Sequence, residues 1–197
     1  MNLLVLGPQG AGKGTQAKRI SSNFGIPHVS TGDMFRAAIA AGSPLGKQVE
    51  PLLKDGILVP DELTVSLIRE RLSQDDAGAG FVLDGFPRNL VQARALDETL
   101  REIERGLDAI LFFDIPDAVG MERALGRAHI EGRNDDTRDV IARRLGTYHA
   151  ETEPVVEHYR TTGKLVPLRA SGTIEEVWRQ IEDALRHVEA TRLKETV

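Results

Sequence analysis

The 197-residue chain is 41% hydrophobic, carries a net charge of −5 and contains no cysteine. This describes one core-forming unit rather than a disordered segment, without the general basic face that nucleic acid or a membrane surface would need. Disulfides and cysteine-ligated zinc are excluded, no apolar run is long enough to span a bilayer, and the four apolar residues before Gly7 make no signal peptide, so a cytoplasmic protein is expected.

The first apolar run, Leu3 to Leu6, reads as a buried strand, and Gly7-Pro8-Gln9-Gly10-Ala11-Gly12-Lys13-Gly14-Thr15 follows it directly. Glycines here allow left-handed backbone, so that successive N–H groups can point into one concavity facing an anion. A helix from Lys13 to Phe24, closed by Gly25, aims its N-terminal dipole at the same place, and Lys13 adds a mobile full charge. Strand, glycines, lysine, hydroxyl and helix stand in the order of a phosphate-binding loop, with the hydroxyl one residue late at Thr15.

The remaining elements repeat strand then helix. Strands are expected at Pro27 to Ser30, Gly80 to Leu83, Ala109 to Ile115 and Leu165 to Leu168. Helices are expected at Gly32 to Ala41 (closed by Gly42), Asp61 to Leu72, Asn89 to Arg105 (closed by Gly106), Thr137 to about Tyr159, and Thr173 to about Glu189, with Pro154 kinking or splitting the fourth of these. This alternation gives an α/β fold with a five-stranded, doubly wound parallel sheet and right-handed crossovers, whose ligands bind at the carboxyl ends of the strands. Two stretches exceed a simple crossover: about Thr31 to Val59, and the polar Arg127 to Asp136, where Gly126, Gly132 and Asn134 argue against a regular element.

Asp84 ends the strand Phe81-Val82-Leu83, where phosphate-loop enzymes place a carboxylate that meets Mg²⁺ directly or through water; the alternative is a cap for the next helix. Of 25 basic residues 19 are arginine, whose forked guanidinium meets phosphate oxygens in pairs and stays charged at any working pH. Arg123 and Arg127, four apart, share a helix face. Arg138 and Arg143 fit simple helix-surface charges, and Asp135 and Asp136 either orient nearby arginines or cap the following helix.

Ser30-Thr31-Gly32-Asp33-Met34-Phe35-Arg36, Gly56-Ile57-Leu58-Val59-Pro60, Asp84-Gly85-Phe86-Pro87-Arg88 with Gln92, and Gly132-Arg133-Asn134-Asp135-Asp136 occur in that order after the loop. This set resembles the adenylate kinases, in the short-lid form of the nucleoside monophosphate kinase family, from about Leu3 to Val188. The loop departs in one respect: the family commonly has Gly-x-Pro-Gly-x-Gly-Lys-Gly-Thr, whereas here proline is at Pro8 and Gln9 precedes Gly10.

The resemblance implies a P-loop NTPase fold in a single domain, with a core of 1–29, 60–125 and 138–197, a helical NMP-binding segment at 30–59 and a lid at about 126–137. It implies the reaction MgATP + AMP ⇌ 2 ADP, serving adenine nucleotide balance. ATP would be held by Gly10, Ala11, Gly12, Lys13, Gly14, Thr15, Arg123, Arg127 and Gly172. AMP would be held by Thr31, Arg36, Ile57, Leu58, Val59, Gly85, Phe86, Pro87, Arg88, Gln92, Arg133 and Arg144. Lys13, Arg88, Arg133, Arg144 and Asp84 would act on the transferred phosphoryl group. Mg²⁺ would be held mainly by ATP phosphates and water near Thr15 and Asp84, with no zinc. Thr31 and Gln92 mark the acceptor base as adenine; a UMP/CMP kinase and a non-catalytic P-loop nucleotide-binding protein are the alternatives. Thr31 to Val59 would close over AMP and about Arg127 to Asp136 over ATP, in a monomer with no nucleic-acid or membrane partner.

Overall fold

The computed structural model describes residues 1–131 and 136–195, excepting the side chains of 129–131 and 192–195. The expected Arg133 and Asp135 therefore lie outside the described residues. In chain order the first elements are β1 (Asn2–Leu6), α1 (Lys13–Phe24), β2 (His28–Ser30), α2 (Thr31–Ala40), α3 (Pro44–Asp55), α4 (Asp61–Leu72), β3 (Phe81–Asp84) and α5 (Leu90–Glu102). These are followed by β4 (Ala109–Asp114), α6 (Asp117–Glu131), α7 (Arg138–Thr147), α8 (Glu153–Arg160), β5 (Leu165–Arg169) and α9 (Ile174–Glu195). The strands form one sheet in the order β2-β3-β1-β4-β5, with every pair parallel. The order reverses at β1, which places the loop after that strand at the switch point where doubly wound sheets bind ligands.

Alternation along the strands explains why both sheet faces are covered. Leu3 and Val5 point into one core with Ile20, Val82, Leu111, Phe113, Trp178 and Ile181, beneath α1 and α9. Leu4 and Leu6 point into the other, with Phe81, Leu83, Leu96, Leu100, Ile110 and Tyr159, beneath α4, α5 and α8. Continuous apolar runs are what a strand buried on both faces requires. Two satellites lie off the sheet. Phe35, Val49 and Val59 tie α2 and α3 together, and Ala124, Ile141 and Leu145 join α6 to α7.

Several helical expectations need correction. The stretch Thr31 to Val59 contains a second helix, α3, despite Pro51 within it; Ser43 caps its start, accepting from Gly46 N at 3.0 Å. The stretch from Arg127 is not irregular at its start, since α6 continues through Gly126 to Glu131. One glycine costs a helix about 1 kcal/mol, less than packing against the α7 cluster returns. Helix α5 stops three residues early, because Glu104 takes the left-handed turn (φ 54°) that Gly106 was expected to supply. Helix α9 extends to Glu195.

The expected helix Thr137 to Tyr159 is indeed split, but the break is a π-helical turn at Tyr148–Thr152 and Pro154 sits harmlessly in the first turn of α8. His149 fastens this turn, bonding Asp117 Oδ2 at 2.8 Å and Glu153 Oε2 at 2.9 Å. The carboxylates of Glu153 and then Asp117 raise the His149 pKa above its ordinary value. A raised pKa stabilises the fold fully below about pH 6.5 and loses that effect as pH rises through the folded-state value. In thermal melts, His149→Ala should therefore lower the midpoint at about pH 6 and make little difference at about pH 9; an equal loss at both would remove the ionic latch.

Candidate active site

The phosphate loop is shaped by its contact with α6. Gly10 (φ 80°) lies so close to Gly120 that a Cβ would stand 1.9 Å from the Gly120 carbonyl oxygen, and a Cβ on Gly120 would come within 2.7 Å of the Gln9 carbonyl. Gly12 (φ 86°) occupies the position before α1, leaving the first N–H groups of the helix facing outward without a side-chain cap. Lys13 bends back over the loop, donating from Nζ to the carbonyls of Gly7 and Pro8, each at 2.8 Å. Burial pushes its ammonium down to about 8, against the pull of Asp84 and reinforced by Arg88 and Arg127. It is still charged at neutral pH.

Two cavities meet at this loop. One, of about 530 Å³, is lined by Lys13, Gly14, Thr15, Thr31, Arg36, Ile57, Leu58, Val59, Asp84, Gly85, Phe86, Pro87, Arg88, Gln92 and Arg144. The other, of about 360 Å³, is lined by Gly10, Ala11, Gly12, Thr15, Arg123, Arg127 and Gly172. Thr15 lines both.

In the larger cavity, Thr31 Oγ1 donates to Gly85 O at 2.9 Å and Arg88 Nε donates to the same carbonyl at 2.8 Å. Burial, then the guanidiniums of Arg144 and Arg36, lower the Arg88 pKa. Positive charge is thus concentrated at a cost to the protein alone, which is the arrangement expected where an anion is to be received. Arg36 is paired with Asp33 one turn earlier. Gln92 is no solvated helix residue: it is 1% exposed, its Oε1 accepts from Arg88 N at 2.8 Å and its Nε2 donates to Asp61 Oδ1 at 2.7 Å.

Asp84 is not a helix cap, because Asn89 fills that role for α5 by accepting from Gln92 N. Its carboxylate contacts His28 Nε2 at 3.4 Å and faces the loop, where a Cβ on Gly14 would stand 3.4 Å from Oδ2. Burial alone would raise its pKa, but His28, Lys13 and Arg88 together hold it below the ordinary carboxylate value. An ionised carboxylate and the Thr15 hydroxyl on the same cavity are hard oxygen donors, and this set fits Mg²⁺.

The smaller cavity is organised by Arg123, which donates to the carbonyls of Ala170, Ser171 and Gly172 at 2.7, 2.8 and 2.9 Å and so braces the turn before α9. Thr137 caps α7, which frees Asp136 for a different task. Its fully buried carboxylate accepts from Arg127 Nη2 and Arg144 Nη1, each at 2.6 Å. Arg144 Nη2 also donates to Leu53 O at 2.9 Å, and Arg143, expected to be a surface charge, donates to Asp55 O at 2.6 Å. The role of Arg143 was invisible in sequence because its partner is a backbone carbonyl at the end of α3.

A family model described as Adenylate kinase matches residues 5–164. A curated protein named adenylate kinase from Streptomyces avermitilis is 41% identical, the match covering 98% of this chain and 100% of that protein. One of that name from Xanthomonas euvesicatoria is 45% identical over 94% of this chain and 99% of its own length, and one from a Cyanothece strain is 44% identical over 97% and 98%. With the match running through the loop, both cavities and nearly the whole fold, the chain belongs to the adenylate kinase family.

Proposed function

We propose that the larger cavity receives AMP, that the smaller receives the ATP adenine and ribose, and that phosphoryl transfer occurs where they meet, giving two ADP. The observation that carries this reading is the junction of two cavities at Thr15, beside Lys13. A nucleotide switch needs one nucleotide site; a phosphotransferase needs two whose phosphates converge.

Transfer between phosphates passes through a loose transition state with charge on the equatorial oxygens, so positioning and electrostatics do most of the work. The amides of Gly10 to Thr15 hold the ATP phosphates. Lys13 exchanges its two loop carbonyls for phosphate oxygens and follows the transferred group. Arg36 and Arg88 grip the AMP phosphate, while Arg127 and Arg144 approach the transfer point from the Asp136 side. Arg133 belongs with them in this reading. Thr15 and Asp84 would hold Mg²⁺, which supplies charge neutralisation between the phosphates. Water is excluded by closure of two segments, 30–59 and about 126–137, over a core of 1–29, 60–125 and 138–197.

The base is read by groups already in place. Each end of the Gln92 amide retains one further capacity, a second N–H on Nε2 and a second lone pair on Oε1, which suits the donor–acceptor edge of adenine. Thr31 and the backbone of Ile57 to Val59 complete that wall. We further infer a monomer acting in the cytoplasm, where adenine nucleotides are made and consumed. Its net charge of −5 favours neither nucleic acid nor an anionic membrane, and among the described residues no helix is long and apolar enough to cross one.

The test is ADP formation from MgATP with AMP, UMP, CMP and GMP supplied in turn. AMP should be the best acceptor by more than about tenfold, because a base that leaves the Gln92 amide unmatched forfeits hydrogen bonds worth about 1–3 kcal/mol. Preference for a pyrimidine would overturn the base assignment, and inactivity with all four would overturn phosphoryl transfer.

A further inference from the structure

One side chain of the phosphate loop is engaged outside the loop. Gln9 stands where the resembled family's loop commonly has proline, and its side chain reaches the segment before α7. Its Nε2 donates to Asp136 Oδ1 at 2.8 Å, a contact between residues 127 apart in sequence. The same Oδ1 accepts from Arg144 Nη1 and the neighbouring Oδ2 from Arg127 Nη2, each at 2.6 Å. The Asp136 side chain is 0% exposed.

A buried carboxylate with two guanidiniums on it competes with any phosphate for those same guanidiniums. Each arginine that turns to a phosphate must release or share Asp136, and a buried carboxylate stripped of donors is strongly destabilised. Gln9 is the donor that phosphate attracts least, because it carries no charge, and its backbone is pinned against Gly120 on α6. The amide also shows which of its ends fixes its position. Gln9 Oε1 is buried without a donor among the described residues, a cost tolerated to keep Nε2 on the carboxylate. Arg127 Nε is likewise buried without an acceptor among them, so this guanidinium is held by its Asp136 edge and its other donors are not all committed.

We propose that Gln9 is a positioning residue for phosphoryl transfer: it keeps Asp136 hydrogen-bonded while Arg127 and Arg144 turn to the phosphates, coupling the phosphate loop to the arginines that flank it. This rests on the phosphotransferase reading above. A proline at this position would leave Asp136 dependent, among the described residues, on the two arginines, and a cationic residue would compete for the phosphates itself.

The experiment compares the intact wild-type chain with Gln9→Ala and Gln9→Glu in the MgATP plus AMP assay from about pH 5.5 to 8.5, with unfolding midpoints measured in parallel. Gln9→Ala should lower kcat about tenfold with KM for both nucleotides nearly unchanged, the size of one hydrogen bond to a charged group expressed in the transition state. Gln9→Glu keeps the shape but places a carboxylate against Asp136, amid Arg127, Arg144, Lys13, Arg88 and Asp84. Its deficit should exceed that of Gln9→Ala at high pH and shrink as pH falls, when the introduced carboxyl takes up a proton and can donate it to Asp136, while the deficit of Gln9→Ala stays level. Wild-type constants in both variants, parallel pH profiles for the two, or activity lost only in step with the unfolding midpoint would each overturn the role of Gln9. If Gln9→Ala is too unstable to assay, the pH dependence of Gln9→Glu decides alone. A wild type inactive with AMP would instead overturn the phosphotransferase reading, and this inference with it.

Discussion

Replacing Lys13 or Arg88 with alanine should lower kcat for AMP phosphorylation by about 10³-fold while leaving the unfolding midpoint unchanged or raised. The loss follows from removing a full charge from a site where negative charge develops on phosphate oxygens, in surroundings drier than water. The gain in stability follows from what these groups endure in the protein alone. Burial drives both pKa values down, and neighbouring cations push in the same direction: Arg88 and Arg127 on Lys13, and Arg144 and Arg36 on Arg88. A group whose charged form the fold disfavours is one whose removal relieves strain. Thermal melts beside steady-state kinetics separate the cases. If turnover and midpoint collapse together, these residues are structural; if neither moves, the transfer site lies elsewhere.

Gly10→Ala and Gly12→Ala should differ sharply although both positions have left-handed backbone. At Gly12 a Cβ meets nothing within 4 Å, so the cost is the backbone strain of about 1–2 kcal/mol. At Gly10 the same strain is joined by overlap with the Gly120 carbonyl at 1.9 Å, and main chain on both sides leaves no side chain to give way. Overpacking adds about 1–3 kcal/mol, for a total of roughly 2–5 kcal/mol. Relief must come from lifting the loop off α6, so turnover should fall as well. Urea unfolding of the two variants measures the difference, and equal destabilisation would show that the loop does not depend on its seat against α6.

The sheet was legible because its signal is local. Runs such as Leu3 to Leu6 and Phe81 to Leu83 are short, apolar and bounded by glycine or a polar residue, and each became a strand. Helix α1 was readable to the residue from Lys13 and Gly25. What failed were elements whose local preference is overridden by packing. Pro51 and Gly46 argue against α3, yet the Ser43 cap and the apolar residues Val49, Leu52 and Leu53 hold it against α2 and α4. Gly126 argues against α6, yet Ala124 and Met121 pack on Ile141 and Leu145.

In the site, the order of motifs foretold which residues would gather: Thr31, Arg36, Arg88 and Gln92 come from different elements and line one cavity. The partners that steady them were not readable. Asp61 holding Gln92 and Thr152 donating to Arg88 O at 2.7 Å are distant in sequence and carry no spacing rule, while Asp136, near its two arginines in the chain, offered capping and pairing equally. A choice between capping and pairing, as at Asp136, turns on where a neighbour such as Thr137 points, which only the folded chain decides.

The contact between α7 and the end of α3 has a thermodynamic consequence. Arg143 and Arg144 hold the carbonyls of Asp55 and Leu53, so a wall of the larger cavity is fastened to the helix whose guanidinium shares Asp136 with Arg127, which lines the smaller cavity. A nucleotide that shifts either partner changes the free energy of the other. Linkage then requires reciprocity: by whatever factor one substrate alters the affinity for its companion, the companion alters the affinity for the first. If each cavity takes one nucleotide as proposed, neither binding constant belongs to its cavity alone.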